Sequence, residues 1–265
     1  MLKVYTADLH IHTCLSPCGD LEMAPRNIVQ RAVEVGLDVI AITDHNSAKN
    51  VPAVIDAAVG APLTVVPGME VQTREEVHVL TLFGDLGSLR QWQDRVERGL
   101  PDVANRPDYF GDQPIVTAAG EIIGFEPKLL LASVAMTVEE VFRIVAGLGG
   151  YSIPAHVDRM SFSIIGQLGF IPPSLPIRVV EVFDLAKLHN LPSIQELHVI
   201  TASDAHFLAD IGGKTTRLLL GGATFDEIVM ALEGSEGRKI LCPGQPLVRS
   251  GAKVHETDDG RAQSC

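Results

Sequence analysis

Aromatic residues are scarce in this 265-residue sequence, at 5%, with a single tryptophan, Trp92. Cysteine is scarcer still. Cys14 and Cys18 lie near one end and Cys242 and Cys265 near the other, which is no disulfide framework, so reduced thiols in a cytoplasmic setting are expected. No apolar run approaches the ~20 residues that a membrane span needs, so no membrane contact is expected. The opening MLKVYTADLHIHT has neither a basic head nor an apolar h-region, which argues against a secretory signal. Basic residues are outnumbered, with 21 Lys and Arg against 33 Asp and Glu and a formal net charge of −12. Long nucleic acid is therefore not an expected partner, since gripping many phosphates takes a basic stripe. One local positive site could still hold a short or single phosphorylated molecule. Disorder is excluded by a hydrophobic fraction of 46%.

Short apolar or β-branched runs alternate with helical patterns for most of the length. Val4–Ile11, Asp38–Thr43, Leu63–Val66, Val77–Phe83, Tyr151–Ala155, Ile177–Phe183 and Leu197–Ala202 read as strands, with Lys214–Leu220 a further candidate. The run Asp38–Thr43 is apolar throughout, as suits a strand covered on both faces. Pro25 opens a helix that Gly36 closes, and Thr137 with Glu140 forms a capping box for another. Such alternation predicts a parallel α/β architecture. One domain is expected over residues 1–243, with an insertion at about 101–126 that contains a small hairpin. Residues 244–265 are polar and aperiodic and read as a loose tail. The sequence leaves the oligomeric state open.

Six of the nine histidines fall beside strand-like runs. His10 and His12 stand at i and i+2, so alternation sends both rings to one face, where they can hold one metal. His45 follows DVIAIT, Glu70 closes LTVVPG, His156 follows YSI, and Asp204 and His206 follow LHVITA. The carboxyl ends of parallel strands form one rim, where catalytic groups gather. His78 lies early in its strand and reaches that rim only if the strand runs antiparallel or the preceding turn is tight. His189, His198 and His255 lie outside the pattern and read as surface or packing residues. Histidine with carboxylate suits zinc, manganese or iron(II). Asp44 reads as a group that orients a ligating imidazole.

The segments DLHIHT, ITDHN, GMEVQT with EVHVL, PAHVDR and SDAH occur in the order of the motifs of the PHP (polymerase and histidinol phosphatase) superfamily of metal-dependent phosphoesterases, which the chain resembles from about residue 4 to residue 210. The resemblance implies a distorted (β/α)7 barrel with a cluster of two to three divalent ions at the strand ends. By that resemblance His10 and His12 bind a first metal with Asp204, and Glu70 bridges it to a second, completed by His78 and His156. His45 and His206 hold a third ion with a residue from the loop after His12. Relatives carry Asp or His five or six residues after the second histidine, whereas this sequence has Pro17 and Cys18. Asp20, the nearest carboxylate, is the expected ligand, with Cys18 the alternative if the ion is zinc.

Paired divalent ions lower the pKa of bound water toward ~7 and neutralise phosphoryl charge. The expected activity is therefore metal-dependent hydrolysis, by metal-activated water, of a small phosphorylated metabolite or nucleotide. Glu70, Asp204 and Arg159 are expected to carry the chemistry, with Arg159 of PAHVDR forking onto the phosphate. Arg74 and Lys214 are weaker phosphate candidates. The turn Gly212-Gly213-Lys214-Thr215 lacks P-loop spacing. Two alternatives remain open: a 5′-to-3′ exonuclease on short oligonucleotides, and a nonenzymatic regulatory domain of the kind attached to replicative polymerases. A full ligand set argues against the latter, because a structural site needs only one closed shell of about four ligands.

Overall fold

The computed structural model describes residues 1–241. The expected tail, together with Cys242, His255 and Cys265, lies outside the described residues. Eleven strands and seven α-helices are present among the described residues. They run β1 (Lys3–Ile11), α1 (Pro25–Glu34), β2 (Val39–Ile42), α2 (Val51–Ala57), β3 (Thr64–Gln72), β4 (His78–Leu82), α3 (Leu86–Gly99), α4 (Pro107–Phe110), β5 (Pro114–Val116) and β6 (Ile122–Phe125). There follow α5 (Val138–Gly147), β7 (Tyr151–Pro154), α6 (Ile164–Leu168), β8 (Val179–Glu181), β9 (His198–Ile200), β10 (Thr216–Leu220), α7 (Phe225–Leu232) and β11 (Lys239–Leu241). None of the described helices is long and apolar enough to cross a membrane.

A curled seven-stranded sheet in the order β11-β10-β1-β2-β3-β4-β7 forms the frame. Its centre, β1-β2-β3, is parallel. The parallel order gives way at β10, antiparallel to both β1 and β11, and at β4, antiparallel to both β3 and β7, one of the two courses that would bring His78 to the rim. The short span between β3 and β4 explains the second case, since a parallel crossover needs about a dozen residues or more. Strands β8 and β9 pair in parallel as a separate ribbon. Backbone hydrogen bonds tie the ribbon's polar end to the sheet. Val157 N–H donates to Glu181 O at 2.8 Å, and His12 N–H donates to Ala205 O at 3.0 Å. The result is an α/β fold with a curled half-barrel, drawn closed at the end where the strands carry their polar residues.

The side chains of β2 show why its sequence is apolar throughout. Val39 and Ala41 enter one core cluster, packed with α7, and Ile40 and Ile42 enter the other, packed with α1, α2, α3 and α5. Trp92 of α3 is fully buried, and its indole N–H donates to Thr81 Oγ1 of β4 at 3.0 Å. The capping box at Thr137 and Glu140 starts α5 as the sequence predicts. The hairpin β5-β6 is also present, and its segment leans on the loop after β1: a Cβ on Gly111 would meet Pro17 O at 2.2 Å. Asn50 ties the two together, taking Val116 N–H on its Oδ1 and donating Nδ2 to Thr13 Oγ1.

Candidate metal centre

Glu70 leaves β3 fully buried among imidazoles. Its Oε1 lies 2.9 Å from His78 Nδ1, 3.2 Å from His156 Nε2 and 3.4 Å from His10 Nε2. Its Oε2 lies 3.0 Å from His45 Nδ1 and 3.5 Å from His12 Nε2. The antiparallel course of β4 is what carries His78 to this end. Burial opposes the charged carboxylate, but the His78, His10 and His45 rings outweigh it and hold Glu70 well below the usual range.

The far side of each ring decides which nitrogen faces the cluster. His10 Nδ1 lies 3.1 Å from both oxygens of Glu181, an acceptor-only carboxylate, so its Nε2 faces inward. Ser16 Oγ gives its one proton to Asp44 Oδ1 at 2.7 Å, so it accepts from His12 Nδ1–H at 2.9 Å and from His45 N–H at 3.1 Å. Asp44 also takes both the N–H and the hydroxyl of Thr13. His78 Nε2–H donates to Gln72 Oε1 at 3.1 Å, the amide being oriented by its own bond to Ser133. His206 Nδ1–H donates to Asp204 O at 2.8 Å. Asp44 thus orients His12 through Ser16. Glu181, which holds His10 and also accepts His156 N–H at 3.1 Å, has no sequence precedent except as a lone acid in an apolar run.

The inward nitrogens crowd one another. His10 Nε2 and His12 Nε2 stand 3.1 Å apart, and each is 3.2 Å from Asp204 Oδ1. Ligands about 2.0–2.1 Å from a tetrahedral zinc are spaced by about 3.3 Å, so these atoms are spaced as ligands of one ion. Three overlapping groups could hold cations: His10 with His12 and Glu70, His45 with Glu70 and His78, and His12 with His45 and His206. His45 Nδ1, Glu70 Oε2 and His78 Nδ1 are buried without a hydrogen-bond partner, a cost that a bound cation would remove. The residues therefore fit a metal cluster. His156 and Asp204 add strained backbones, with φ of +32° and +51°, at the strand exits that aim them.

Asp20 does not join the cluster, contrary to expectation. Its Oδ1 accepts Glu22 N–H at 2.7 Å, and only its backbone N–H reaches the site, at His206 O. Two tight turns, Ser16 N–H to Thr13 O and Gly19 N–H to Ser16 O, shape the loop that carries Cys18. Gly19 is required there, since a Cβ would lie 2.7 Å from Thr13 O. Cys18 is exposed. Burial raises its thiol pKa, but the influence of His206 and His45 outweighs this and brings it down to about 6.

Arg159 stands at the edge of the cluster, its Nη1 2.7 Å from Asp204 Oδ2 and its Cζ 4.2 Å from the Phe183 ring centre. Lys214 Nζ lies 3.2 Å from that same centre, at a cleft of about 410 Å³ lined also by Thr201, Thr215 and Thr216. Arg74 is 65% exposed and pairs with Glu75, outside the cluster.

A family model described as the PHP domain matches residues 8–146. The chain belongs to the PHP domain family. Two relatives bracket the likeness. The 5′-3′ exoribonuclease Rnm of Salmonella typhimurium is 37% identical over 79 residues, 29% of this chain and 26% of its own length. The uncharacterized protein YqxK of Bacillus subtilis is 22% identical over 91% of this chain and 65% of its own length. The chain thus spans less than two thirds of these relatives. Among solved structures, the lesion-specific endonuclease PfuEndoQ of Pyrococcus furiosus superposes with a TM-score of 0.65 at 20% identity, over 90% of this chain and 58% of that one. PsfC of Pseudomonas syringae superposes with a TM-score of 0.58 at 17% identity, over 92% and 93%. Both share the fold.

Proposed function

We propose that this PHP-family chain is a metal-dependent phosphoesterase that hydrolyses a small phosphorylated metabolite or nucleotide in the cytoplasm. The observation that carries the reading is the Glu70 carboxylate, buried within 3.5 Å of five imidazole rings whose inward nitrogens converge. Two to three divalent ions, of zinc, manganese or iron, would be held by His10, His12, Glu70 and Asp204, by Glu70, His78 and His156, and by His45 and His206. When bound, such ions activate water for attack and neutralise charge on the phosphoryl oxygens.

The chain's own groups do the rest. Glu181 and the Ser16–Asp44 pair hold the His10 and His12 rings rigid, so little reorganisation accompanies binding of an anion. Arg159, steadied by Asp204 and by the face of Phe183, presents a planar cation where a phosphate would meet the cluster. The segment at 101–126, braced on the loop that carries Cys18, is positioned to shape substrate entry.

A second reading, a 5′-to-3′ exonuclease on short oligonucleotides, draws support from the exoribonuclease relative and from apolar side chains beside the site. Met160 next to Arg159 and Phe207 next to His206 are 88% and 54% exposed, and Phe162 stacks on the His78 ring. Exposed aromatic faces suit unstacked bases. The deciding experiment is a hydrolysis screen of metal-stripped protein, reloaded with manganese or zinc, against phosphometabolites, nucleotides and short oligonucleotides. Activity that survives stripping in full would sink the phosphoesterase reading. Glu70→Gln should cost more activity than His45→Ala, because it removes charge at two of the proposed ions together.

A further inference from the structure

We infer that the cleft between the β8–β9 ribbon and strands β10 and β11 is a second subsite, which holds an anionic group, phosphate or carboxylate, on the portion of the substrate that leaves. The inference rests on the phosphoesterase reading above and deepens it, assigning the substrate to the phosphate esters that carry a second anionic group.

Lys214 Nζ stands 3.2 Å from the centre of the Phe183 ring, and among the described residues no carboxylate pairs with it. An ammonium held on an aromatic face keeps N–H donors for a ligand. Thr201 lines the same cleft and is 6% exposed, and its Oγ1 is buried without a hydrogen-bond partner. The neighbouring hydroxyl is already committed, since Thr216 Oγ1 donates to Thr201 O at 2.7 Å and accepts Thr201 N–H at 2.9 Å. A buried hydroxyl left unpaired is a cost that a ligand oxygen would remove. Arg217 joins Lys214 in the lining. The acid there, Asp184, has its Oδ1 on Ala186 N–H at 3.1 Å. The balance of charge in the cleft is therefore positive, in a chain that is anionic as a whole.

Phe183 joins this cleft to the metal centre. Its ring lines the cleft and also carries Arg159, whose Nη1 meets Asp204 Oδ2 at 2.7 Å. Asp158, next to Arg159 in sequence, fixes the ring's backbone, its buried carboxylate accepting Phe183 N–H at 2.7 Å and Asp184 N–H at 3.0 Å. A cleft of about 410 Å³ falls in the range of small-molecule sites, roughly 300–1,000 Å³. An ester with one phosphate at the metals thus presents its second anion to Lys214 and Thr201.

Binding and turnover test this separately. The full chain, stripped of metal and titrated calorimetrically with inorganic phosphate, should bind it. Lys214→Met keeps an apolar stem on Phe183 but removes the charge, and should weaken that binding by about 10-fold or more, as loss of a hydrogen bond to a charged group does. Thr201→Val should weaken it as well, and Lys214→Arg should retain most of it. In the manganese-loaded protein, phenyl phosphate is compared with its 4-carboxy derivative and with benzene-1,4-diyl bisphosphate, which differ only in the second group. The anionic esters should have the higher kcat/KM, the better of the two naming the anion, and Lys214→Met should cut that preference by about 10-fold. Phosphate binding that Lys214→Met leaves unchanged, or turnover with no preference for a second anion, would overturn the inference. Hydrolysis of phenyl phosphate without that preference would remove the subsite alone and leave the phosphoesterase reading intact. Lys214-dependent phosphate binding in a protein that hydrolyses no ester would keep the subsite and remove that reading.

Discussion

Both carboxylate oxygens of Glu181 lie 3.1 Å from Nδ1 of His10, with both side chains fully buried and 171 residues apart in sequence. Burial works against a charged His10 ring, but Glu181, Asp204 and Glu70 outweigh it and raise its pKa well above the usual value. Glu181 is a positioning residue, since it faces the ring nitrogen turned away from the cluster. Glu181→Gln keeps an acceptor for Nδ1–H and should lower metal affinity by about 10-fold, and Glu181→Ala by up to about 100-fold. Competitive metal titration reads this directly. Unchanged affinity in the alanine variant would leave Glu181 a packing residue.

Ser16 makes the matching case on the other ring. Its hydroxyl links Asp44 to His12 and accepts His45 N–H. Ser16→Ala removes the acceptor that fixes the His12 tautomer, and metal affinity should fall about 10- to 100-fold. Stability should also fall, by about 1–3 kcal/mol, because buried donors are left unpaired while Asp44 keeps its two bonds from Thr13. Denaturant titration of the metal-free protein separates the two effects. A loss of stability with no loss of affinity would mean that Ser16 only braces the loop.

These residues mark the boundary of what the sequence discloses. His10, His12, His45, His156 and His206 are legible because each sits at the end of an apolar run, where strand geometry alone aims it. Glu181 is not, because its partner lies on β1 and only the β8–β9 ribbon brings them together. Its one signal is a lone acid in VVEVF, where a buried charge must find a partner. His78 needs the direction of β4, which pairing with β3 and β7 sets. At the loop after His12, ligand chemistry favours Asp20, but its Oδ1 is taken by the Glu22 backbone, a local turn that spacing alone does not disclose. The short parallel pairs are legible, whereas the antiparallel β10 and β11 depend on contacts between distant segments.

Arg159 tests the phosphate-facing edge. Arg159→Ala should weaken phosphate binding by ~1.5–3 kcal/mol, the range for a hydrogen bond to a charged group. Arg159→Lys should recover only part, since lysine cannot form the planar fork and stacks less well on Phe183. Inhibition by inorganic phosphate, measured alongside KM and kcat, provides the readout. If the alanine enzyme keeps its kinetics, the metals bind the phosphate unaided and Arg159 serves only to hold Asp204.

Salt dependence separates a single phosphate pocket from an extended groove. A chain with a formal net charge of −12 has few cations to set against a polyanion. Near the centre, Arg159 and Lys214 are the cations that meet the ring of Phe183. Each phosphate neutralised on a single strand contributes about −0.7 to the slope of log affinity against log salt, so one or two phosphates predict a slope of about −1 to −2. Affinity for an oligonucleotide series should stop rising beyond about two or three nucleotides, with Phe162 and Phe207 the aromatic surfaces beside the site. Lys214→Ala should make the slope shallower by about 0.7 if its ammonium meets a second phosphate, and leave it unchanged if its partner is Phe183 alone. A slope near −4, with affinity still climbing at about ten nucleotides, requires a row of phosphate contacts and favours the exonuclease reading over the small-molecule one.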